Sequence, residues 1–252
     1  MTAKTSYQPG EPTWIDLATP NMDATIAFYA GLFGWKAGED AGEEFGGYRM
    51  LTKDGKNVAG VMPVMYPGQP TVWSCYVSVD DADKTTALVT ENGGNVFAAP
   101  MDVADNGRMA VFADPSGAAF GVWQPHQHIG AELIDEEGTL SWIELSTRAQ
   151  DKVLPFYESV FGWQPKVQEG YTEFQLGGRS VAGCMDMPPT MPEQMPSYWM
   201  PYFDAQNPGA MAEKAASLGG TVVVPQTDMG GVRFSVVQDP NGSTFGLLNS
   251  NP

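Results

Sequence analysis

The sequence contains little histidine, little cysteine and few basic residues. Among its 252 residues are two histidines and two cysteines, and 13 lysines and arginines are outnumbered by 30 aspartates and glutamates, for a formal net charge of −17. Such a charge repels nucleic-acid phosphates and anionic membranes, so we expect neither as a partner. Cys75 and Cys184 each lie in an apolar run, which predicts buried free thiols rather than a disulfide framework.

Long apolar runs are also missing. No stretch approaches the roughly 18 consecutive apolar residues that cross a bilayer. Residues 1–6 lack the apolar segment of a secretory signal, so we expect a cytoplasmic protein. Residues 1–11 are polar and contain Pro9 and Gly10, and we expect them to form a mobile arm.

What the sequence does have is a repeat. Tyr29 and Tyr157, each preceded by phenylalanine, are 128 residues apart, and Trp14 and Trp142 are separated by the same distance. A period this long indicates a duplicated domain rather than a solenoid of short repeats. The repeated segments are 14–17 and 142–145, 28–35 and 156–163, and 108–117 and 233–242.

Both copies predict the same order of elements. Alternating apolar residues predict a strand at each leading tryptophan, with Trp14 and Asp16 on one face. A helix follows and ends at Gly34. A hairpin, a loop rich in proline and methionine, another strand and helix, and two strands around an Asp-Pro-x-Gly turn complete a βαβββ–βαβββ pattern. The predicted boundaries are residues 11–125 for the first module, 126–139 for a polar linker, and 140–250 for the second module.

In this order and in duplicate, these features resemble the vicinal-oxygen-chelate superfamily, which includes glyoxalase I, bleomycin-resistance proteins and extradiol dioxygenases. The resemblance covers nearly the whole chain and is greatest to two-module glyoxalase-like proteins of actinobacteria, which are often labelled hydroxylases. It implies an α+β fold of tandem modules. In each module, paired βαβββ motifs are expected to form an incomplete barrel around a cleft, where members of the superfamily hold their ligand and metal.

The resemblance does not extend to the metal ligands. Metal-dependent members place a histidine on the first strand, a carboxylate or similar group on the hairpin, a histidine on the fifth strand and a glutamate on the last, which makes an N/O site for a divalent ion. Here every one of these ligands is replaced. His126 and His128, the only histidines, lie in the linker, where we expect surface residues. We therefore expect neither a metal nor another cofactor. The ligand positions fall at Trp14 and Trp142, near Gly60-Val61 and Gly183-Cys184, near Ser74 and Tyr198, and at Gly121 and Gly246.

The replacements predict clefts lined by aromatic and acidic side chains. Aromatic walls with a few polar groups suit a planar organic ligand, and carboxylates beside them suit a cationic or hydroxyl-bearing one. Asp16 and Glu144 are the candidate catalytic residues, because a carboxylate desolvated against tryptophan without a cation has a raised pKa and can act as a general acid or base. The predicted ligand-binding residues are Trp14, Asp16, Tyr76, Trp123, Trp142, Glu144, Tyr198 and Tyr202.

Structural alternatives stay open for the same residues. The two leading tryptophans can fill the clefts as core residues. Asp16 and Glu144 can instead form buried ion pairs with Arg108 and Arg233 that hold the strands together. The proline- and methionine-rich loops at 62–70 and 185–196 can be lids over the clefts, since methionine adapts to varied partners, or simply covers for a sheet edge.

Three functions fit these observations. The first is a metal-free protein of the glyoxalase/bleomycin-resistance type that binds an aromatic metabolite or antibiotic. This ligand can be neutral or cationic. The second is a cofactor-independent hydroxylase, isomerase or lyase that acts on an aromatic or carbonyl metabolite, with Asp16 or Glu144 as base. The third is a stress-response interaction protein with vestigial clefts. The expected partner is a small molecule, and because the module is duplicated within one chain we expect a monomer.

Overall fold

The computed structural model describes residues 2–42 and 45–249 of the chain. Residue 250, the predicted end of the second module, lies outside them. The first half of the fold contains β1 Thr2–Ala3, β2 Pro12–Thr19, α1 Met22–Phe33, β3 Lys36–Ala37, β4 Arg49–Lys53, β5 Lys56–Pro63, β6 Trp73–Ser78, α2 Ala82–Glu91, β7 Asn95–Val103, β8 Gly107–Ala113 and β9 Ala119–Pro125.

The remaining elements repeat that order after a short connecting strand. They are β10 Leu133–Ile134, β11 Leu140–Thr147, α3 Gln150–Phe161, β12 Gln164–Gln168, β13 Tyr171–Leu176, β14 Arg179–Asp186, β15 Tyr198–Asp204, α4 Pro208–Ser217, β16 Thr221–Met229, β17 Val232–Gln238 and β18 Thr244–Asn249. The predicted βαβββ–βαβββ order is therefore confirmed in both halves. At 12 residues each, α1 and α3 are the longest helices described, and none of the described helices meets the length and apolarity of a membrane span.

Each half builds its own eight-stranded sheet. The strand order is β3-β4-β5-β2-β6-β9-β8-β7 in the first and β12-β13-β14-β11-β15-β18-β17-β16 in the second, and neither sheet closes into a barrel. The antiparallel pair β2–β6, like β11–β15, joins the two βαβββ motifs of its module. The fold class is therefore confirmed as α+β with tandem modules, and each cleft pairs motifs within one half of the chain.

The helices pack against both sheets at once. The Asn21 side chain accepts from the Ala24 N–H at 3.1 Å and begins α1, and Gly34 ends it in the left-handed region that favours glycine. Between these ends, Phe33 of α1 contacts Phe203 of the second module, with ring centroids 5.0 Å apart. A single hydrophobic cluster contains buried residues of both modules. Because burial of each such side chain stabilises by about 1.5–3 kcal/mol, the halves stabilise one another.

The segments that precede the two modules are exchanged between them. The Trp163 indole at the end of α3 donates to the carbonyl of Gly10 at 2.8 Å. The Trp35 indole at the end of α1 donates to the carbonyl of Gly138, also at 2.8 Å. The segment that precedes each module therefore accepts a hydrogen bond from the end of the first helix of the other module.

The expectation of a mobile arm at residues 1–11 is wrong. Strand β1 pairs with β10 of the linker. Tyr7 is buried, and its hydroxyl donates to the carbonyl of Ala131 at 2.6 Å. Glu11 is also buried, with Lys4 and Arg179 as ion-pair partners. Local polarity suggested an arm because Ala131 and Arg179, the partners of Tyr7 and Glu11, lie more than 100 residues away in sequence.

Both thiols lie in the interior, as predicted. Cys75 and Cys184 are buried and free, and burial raises the pKa of each thiol above its ordinary value. Neither cysteine is therefore a reactive thiolate at neutral pH.

Candidate functional site

In each module the leading strand divides its side chains between two faces. Ile15 and Leu17 join the core under the helices, whereas Trp14 forms a separate cluster with Tyr76 and Trp123. We call the face that carries this second cluster the cleft face. The prediction that alternate residues of the leading strand face opposite ways is confirmed, and the cleft face is the place to look for a site.

In the first module, Asp16 occupies the middle of the cleft face. Strand pairing puts it beside Ser74 on β6 and Gly60 on β5. Its carboxylate is hydrogen-bonded by Tyr76 and Ser74. Next to it, the Trp14 indole donates to the hydroxyl of Tyr48 at 2.9 Å.

The second module repeats this arrangement with a glutamate. The hydroxyl of Tyr202 donates to Oε1 of Glu144 at 2.8 Å. Tyr171 also hydrogen-bonds Glu144, and it accepts from the Trp142 indole at 2.9 Å. Each module therefore brings together one tryptophan, two tyrosines and one carboxylate, and in the second module hydrogen bonds link all four.

Sequence reasoning missed Tyr48 and Tyr171. Both side chains lie over the glycine of the neighbouring hairpin strand: a Cβ added at Gly60 would lie 1.8 Å from the Tyr48 hydroxyl, and one at Gly183 would lie 1.8 Å from that of Tyr171. The available signal was the repetition of a tyrosine at the start of each hairpin, in both copies, together with a glycine on the returning strand.

Within the described part of the chain, no cationic side chain contributes to the electrostatics of Asp16 or Glu144. Arg108 instead pairs with Asp83 and Asp102, each at 2.9 Å, and Arg233 lies 4.0 Å from Asp228. The alternative that these arginines hold Asp16 and Glu144 in buried ion pairs is therefore wrong. Strand register puts Asp102 opposite Arg108 and Asp228 opposite Arg233, so each arginine has an acidic neighbour on the adjacent strand.

Burial without a cation changes the protonation of both carboxylates. It raises the pKa of Asp16 to about 6, against the hydrogen bonds from Tyr76 and Ser74 that lower it. It also raises the pKa of Glu144, against the hydrogen bonds from Tyr202 and Tyr171. Desolvation disfavours the charged form of a carboxyl group, and only these neutral donors offset it. Both groups therefore take up protons at a higher pH than exposed carboxylates do.

The residues on the cleft faces do not fit a divalent metal ion. At the former glutamate positions, a Cβ added to Gly121 would lie 2.2 Å from the Tyr76 ring, and one added to Gly246 would lie 2.0 Å from the Tyr202 ring. Tyrosine rings thus occupy the space in which a carboxylate ligand would stand. Within residues 2–42 and 45–249, no three His, Cys, Asp or Glu residues are grouped so that they could hold a metal.

One of the predicted equivalences needs correction. Ser74 lies opposite Asp16, whereas Met200 lies opposite Glu144, so the counterpart of Ser74 is Met200. Tyr198 lies two residues earlier on the same strand, opposite Ser146. Counting from a distant landmark gave the wrong residue because the loop before this strand differs in length between the modules.

The linker closes the cleft face of the first module. The ring of His128 stands edge-on to Trp14, with centroids 4.5 Å apart, and contacts Trp123 at 5.5 Å. The Trp123 indole donates to the carbonyl of His128 at 2.7 Å. Ala131 packs into the same cluster. Trp14, Tyr76 and Trp123 are all buried as a result.

The expectation that both histidines are surface residues is correct for His126 and wrong for His128. His126 is exposed, whereas His128 is half-buried. Burial lowers the pKa of His128 to about 4, against the nearby charge of Glu132, which raises it. Its Nε2 is buried, and none of the residues that the structure describes hydrogen-bonds it. The polarity of the linker sequence gave no sign that it crosses an aromatic cluster.

The cleft face of the second module is more open. Met200 and Tyr202 are buried at its floor, and side chains that are only partly buried surround them. Trp142 and Tyr198 are two of these. Arg148, just beyond β11, donates to the carbonyls of the nearby proline- and methionine-rich loop. The other partly buried residues around the floor are Val224, Phe234 and Leu248.

The fold and the repeated cluster define a duplicated α+β protein of one superfamily. A family model described as the Glyoxalase/Bleomycin resistance protein/Dioxygenase superfamily matches residues 12–122 and 139–247. The chain belongs to that superfamily, and the resemblance predicted from the sequence is confirmed.

Individual relatives are similar over their whole length. The chain is 40% identical to "Putative glyoxylase CFP32" of Mycobacterium bovis, across 100% of this chain and 99% of that protein. It is 36% identical to "Anthracycline biosynthesis protein DnrV" of Streptomyces peucetius, across 97% of this chain and 94% of that protein. Among solved structures, the Mn(II)-bound glyoxalase from Novosphingobium aromaticivorans has a TM-score of 0.69 at 16% identity, over 97% of this chain and 83% of that one, which is a likeness of fold.

Proposed function

We propose that this protein binds a planar aromatic small molecule on the cleft face of the second module, without a metal ion. The observation that carries the proposal is the difference between the modules. His128 and its neighbours cover the aromatic cluster of the first module, whereas Trp142 and Tyr198 of the second stay partly exposed around a buried floor.

The chemistry of that face suits such a ligand. Trp142, Tyr198 and Phe234 offer ring faces for stacking, which suits flat aromatic molecules. Glu144 and Tyr202 supply a few polar atoms at the floor, where a ligand hydroxyl or ammonium group finds an acceptor. The net charge of −17 favours the approach of cationic ligands. A relative named for anthracycline biosynthesis supports a polycyclic aromatic molecule as the first candidate.

Binding is proposed to be independent of metal because packed side chains that cannot chelate occupy the space of the metal ligands. The tyrosine rings over Gly121 and Gly246 fill the space of the missing carboxylates. In their place, neutral hydroxyl donors hold Asp16 and Glu144, so the cleft keeps polar groups but offers no ligand set for a hard cation. In the first module, Trp14, Asp16, Tyr76 and Trp123 are then part of a closed interior.

A titration with an anthracycline and with its sugar-free aglycone tests the proposal, with quenching of tryptophan emission as the readout. We expect saturable binding that a chelator leaves unchanged. Trp142→Phe and Tyr198→Ala should each weaken it by roughly tenfold or more. The matched control is Trp14→Phe, the equivalent change under the linker, which should leave the affinity unaltered. Binding that is lost on chelation, or that is indifferent to both changes in the second module, would contradict the proposal.

A second candidate function is cofactor-independent acid–base catalysis, and the observation that favours it is the burial of Glu144, which raises the pKa of its carboxyl group. A carboxyl group that titrates near the working pH is suited to proton transfer. Of the two carboxylates, Glu144 lies beneath the more open face. If the protein turns over an aromatic or carbonyl metabolite, Glu144→Gln should abolish the reaction and Asp16→Asn should leave it. Unchanged turnover in the double variant would eliminate this candidate.

We also propose that the chain acts as a monomer. The two modules already share one hydrophobic core within a single chain, so no second copy is needed to complete either sheet. Light scattering on the purified protein should give a mass near 27.1 kDa, and a mass of twice that value would contradict the proposal.

A further inference from the structure

A small pocket lies between the N-terminal segment and the first strand of the second module, away from the floor of the cleft face. Its volume is about 130 Å³. Lys4 and Glu11 line one side, and Ser141 and Arg179 line another. At roughly 30 Å³ for each water, such a space holds several waters or one small molecule. It shares Trp142 with the cleft face of the second module, whereas its charged residues lie outside the aromatic cluster of that face.

The hydroxyl of Ser141 marks this pocket as incomplete. It is buried and has no hydrogen-bond partner among residues 2–42 and 45–249, and a desolvated polar group without a partner is unfavourable. Ser141 lies where β11 changes register against β15, between Leu140 and Trp142. Bulges of this kind commonly lie next to binding sites, because they redirect a side chain.

The equivalent position in the first module does have hydrogen-bond partners. Thr13 occupies the equivalent position, at the equivalent irregularity between Pro12 and Trp14. Its hydroxyl donates to the carbonyl of Ile129 at 2.9 Å, and its own carbonyl accepts from the N–H of Ala131 at 2.8 Å. The chain's own linker therefore supplies a carbonyl acceptor and an N–H donor to this position in the first module. Ser141 has no hydrogen-bonded counterpart of that linker among the described residues.

Side chains of both charges line the pocket. Lys4 lies 3.4 Å from Glu11, and Arg179 contacts the same carboxylate. Two cations thus share one carboxylate, and the guanidinium keeps further N–H donors for another anion. Asp135 also lines the pocket and forms no ion pair with a described residue. The pocket therefore offers both a cationic and an anionic wall.

We propose that this pocket binds a free α-amino acid with an apolar side chain. Its carboxylate would accept from Arg179 and from the Ser141 hydroxyl. Its ammonium group would donate to Asp135. Its side chain would lie against the apolar part of the wall, which consists of Ile134, Leu140, Trp142 and Val181. Such a ligand offers Ser141 the acceptor that the linker carbonyl offers Thr13.

Isothermal titration with three related probes tests the proposal. L-Leucine carries both charges, N-acetyl-L-leucine lacks the ammonium group, and L-leucinamide lacks the carboxylate. We expect L-leucine to bind and each derivative to bind at least about tenfold more weakly. No heat from L-leucine up to about 10 mM, or equal affinity for all three probes, would overturn it.

Variants locate the site and keep its test separate from that of the cleft face. Arg179→Met and Asp135→Asn should each weaken L-leucine binding by about tenfold or more. The matched control is Lys56→Met, because Lys56 is the first residue of β5 just as Arg179 is the first residue of β14. It should leave binding unchanged.

Arg179→Lys is a control for the loss of the ion pair with Glu11 in Arg179→Met. Because it keeps the positive charge but not the guanidinium fork, it should weaken L-leucine binding less than Arg179→Met does. A loss in Lys56→Met as large as that in Arg179→Met would assign the ligand elsewhere and overturn the proposal. None of these substitutions touches Tyr198 or Glu144, so failure here leaves anthracycline binding to be judged by its own titration.

Discussion

The hydroxyl of Tyr157, in the second module, donates a hydrogen bond to Oδ2 of Asp114, in the first, at 2.8 Å. The reciprocal pair, Tyr29 and Asp239, lies 3.4 Å apart. Both tyrosines come from the repeated Phe-Tyr segment, and both aspartates from the repeated Asp-Pro-x-Gly turn. The two repeated motifs therefore contact each other between the modules rather than within one module.

Loss of the Tyr157 hydroxyl should destabilise the whole protein. This hydroxyl also accepts from the Trp199 indole at 2.8 Å, so Tyr157→Phe leaves a buried carboxylate and a buried N–H each short of a partner. We expect a loss of about 1–3 kcal/mol in the free energy of unfolding, measured in urea. Tyr29→Phe should cost less, since its bond is longer. Tyr66→Phe in an exposed loop is the control, and an equal effect from it would contradict this account.

Stability should fall as the pH rises through the titration of Asp16. Its folded-state pKa, about 6, is above the unfolded value, so between about pH 4 and 6 the folded state binds more protons than the unfolded state. The stabilisation is complete below that window and is lost across it. A shift of about two units corresponds to about 2–3 kcal/mol.

Asp16→Asn should remove this component, because an amide does not ionise. Urea unfolding at pH 4, 5, 6 and 7 should show the wild-type protein losing about 2–3 kcal/mol relative to the variant. The exposed residue Asp105 provides the control substitution, Asp105→Asn. Parallel pH profiles for the wild type and Asp16→Asn would show that Asp16 titrates normally.

His128 should act in the opposite direction over nearly the same range. Its pKa is lowered to about 4, so the folded state binds fewer protons than the unfolded state between about pH 4 and 6.5, and stability rises with pH there. His128→Phe keeps a ring against Trp14 and Trp123 but cannot be protonated. Thermal unfolding should therefore show the variant gaining stability over wild type as the pH falls. His126→Phe, two residues away and exposed, should show no gain, and equal gains would refute the assignment.

Gly246 should tolerate no side chain. A Cβ there would lie 2.0 Å from the Tyr202 ring, and overpacking of this kind costs about 1–3 kcal/mol. Gly246→Ala should lower the urea midpoint accordingly. Gly38→Ala is the control, because its Cβ would meet its nearest atom at 3.4 Å. A neutral Gly246→Ala would mean that the Tyr202 ring moves aside easily, which would also reopen the position to a carboxylate.

Much of the architecture followed from local signals in the chain. The alternation around Trp14 predicted which side chains share the cleft face, and Gly34 and the Asp-Pro-x-Gly turns marked where elements end. Those signals are short-range, so a sequence displays them directly. The counterpart of Ser74 was misassigned because a count along the chain passes through a loop of different length, whereas strand register is fixed by pairing.

The site was only half predictable. Trp14, Asp16, Trp142 and Glu144 were named from their strand, but Tyr48 and Tyr171, which complete both clusters, were not. These tyrosines lie on a neighbouring hairpin, and their contact with Gly60 and Gly183 depends on how two strands approach each other. Likewise, nothing local to His128 indicates that it packs against Trp14.

By itself, the sequence determined that the chain is a duplicated α+β protein, that each copy carries a carboxylate beside a tryptophan, and that the chelating positions hold other residues. These facts reside in residue identity and spacing. Only the tertiary structure decided that the linker covers one cleft face and leaves the other more open, and that Tyr157 reaches Asp114 across the modules. Such pairings join residues distant along the chain, and they form because burying both modules' aromatic side chains in one core brings them together.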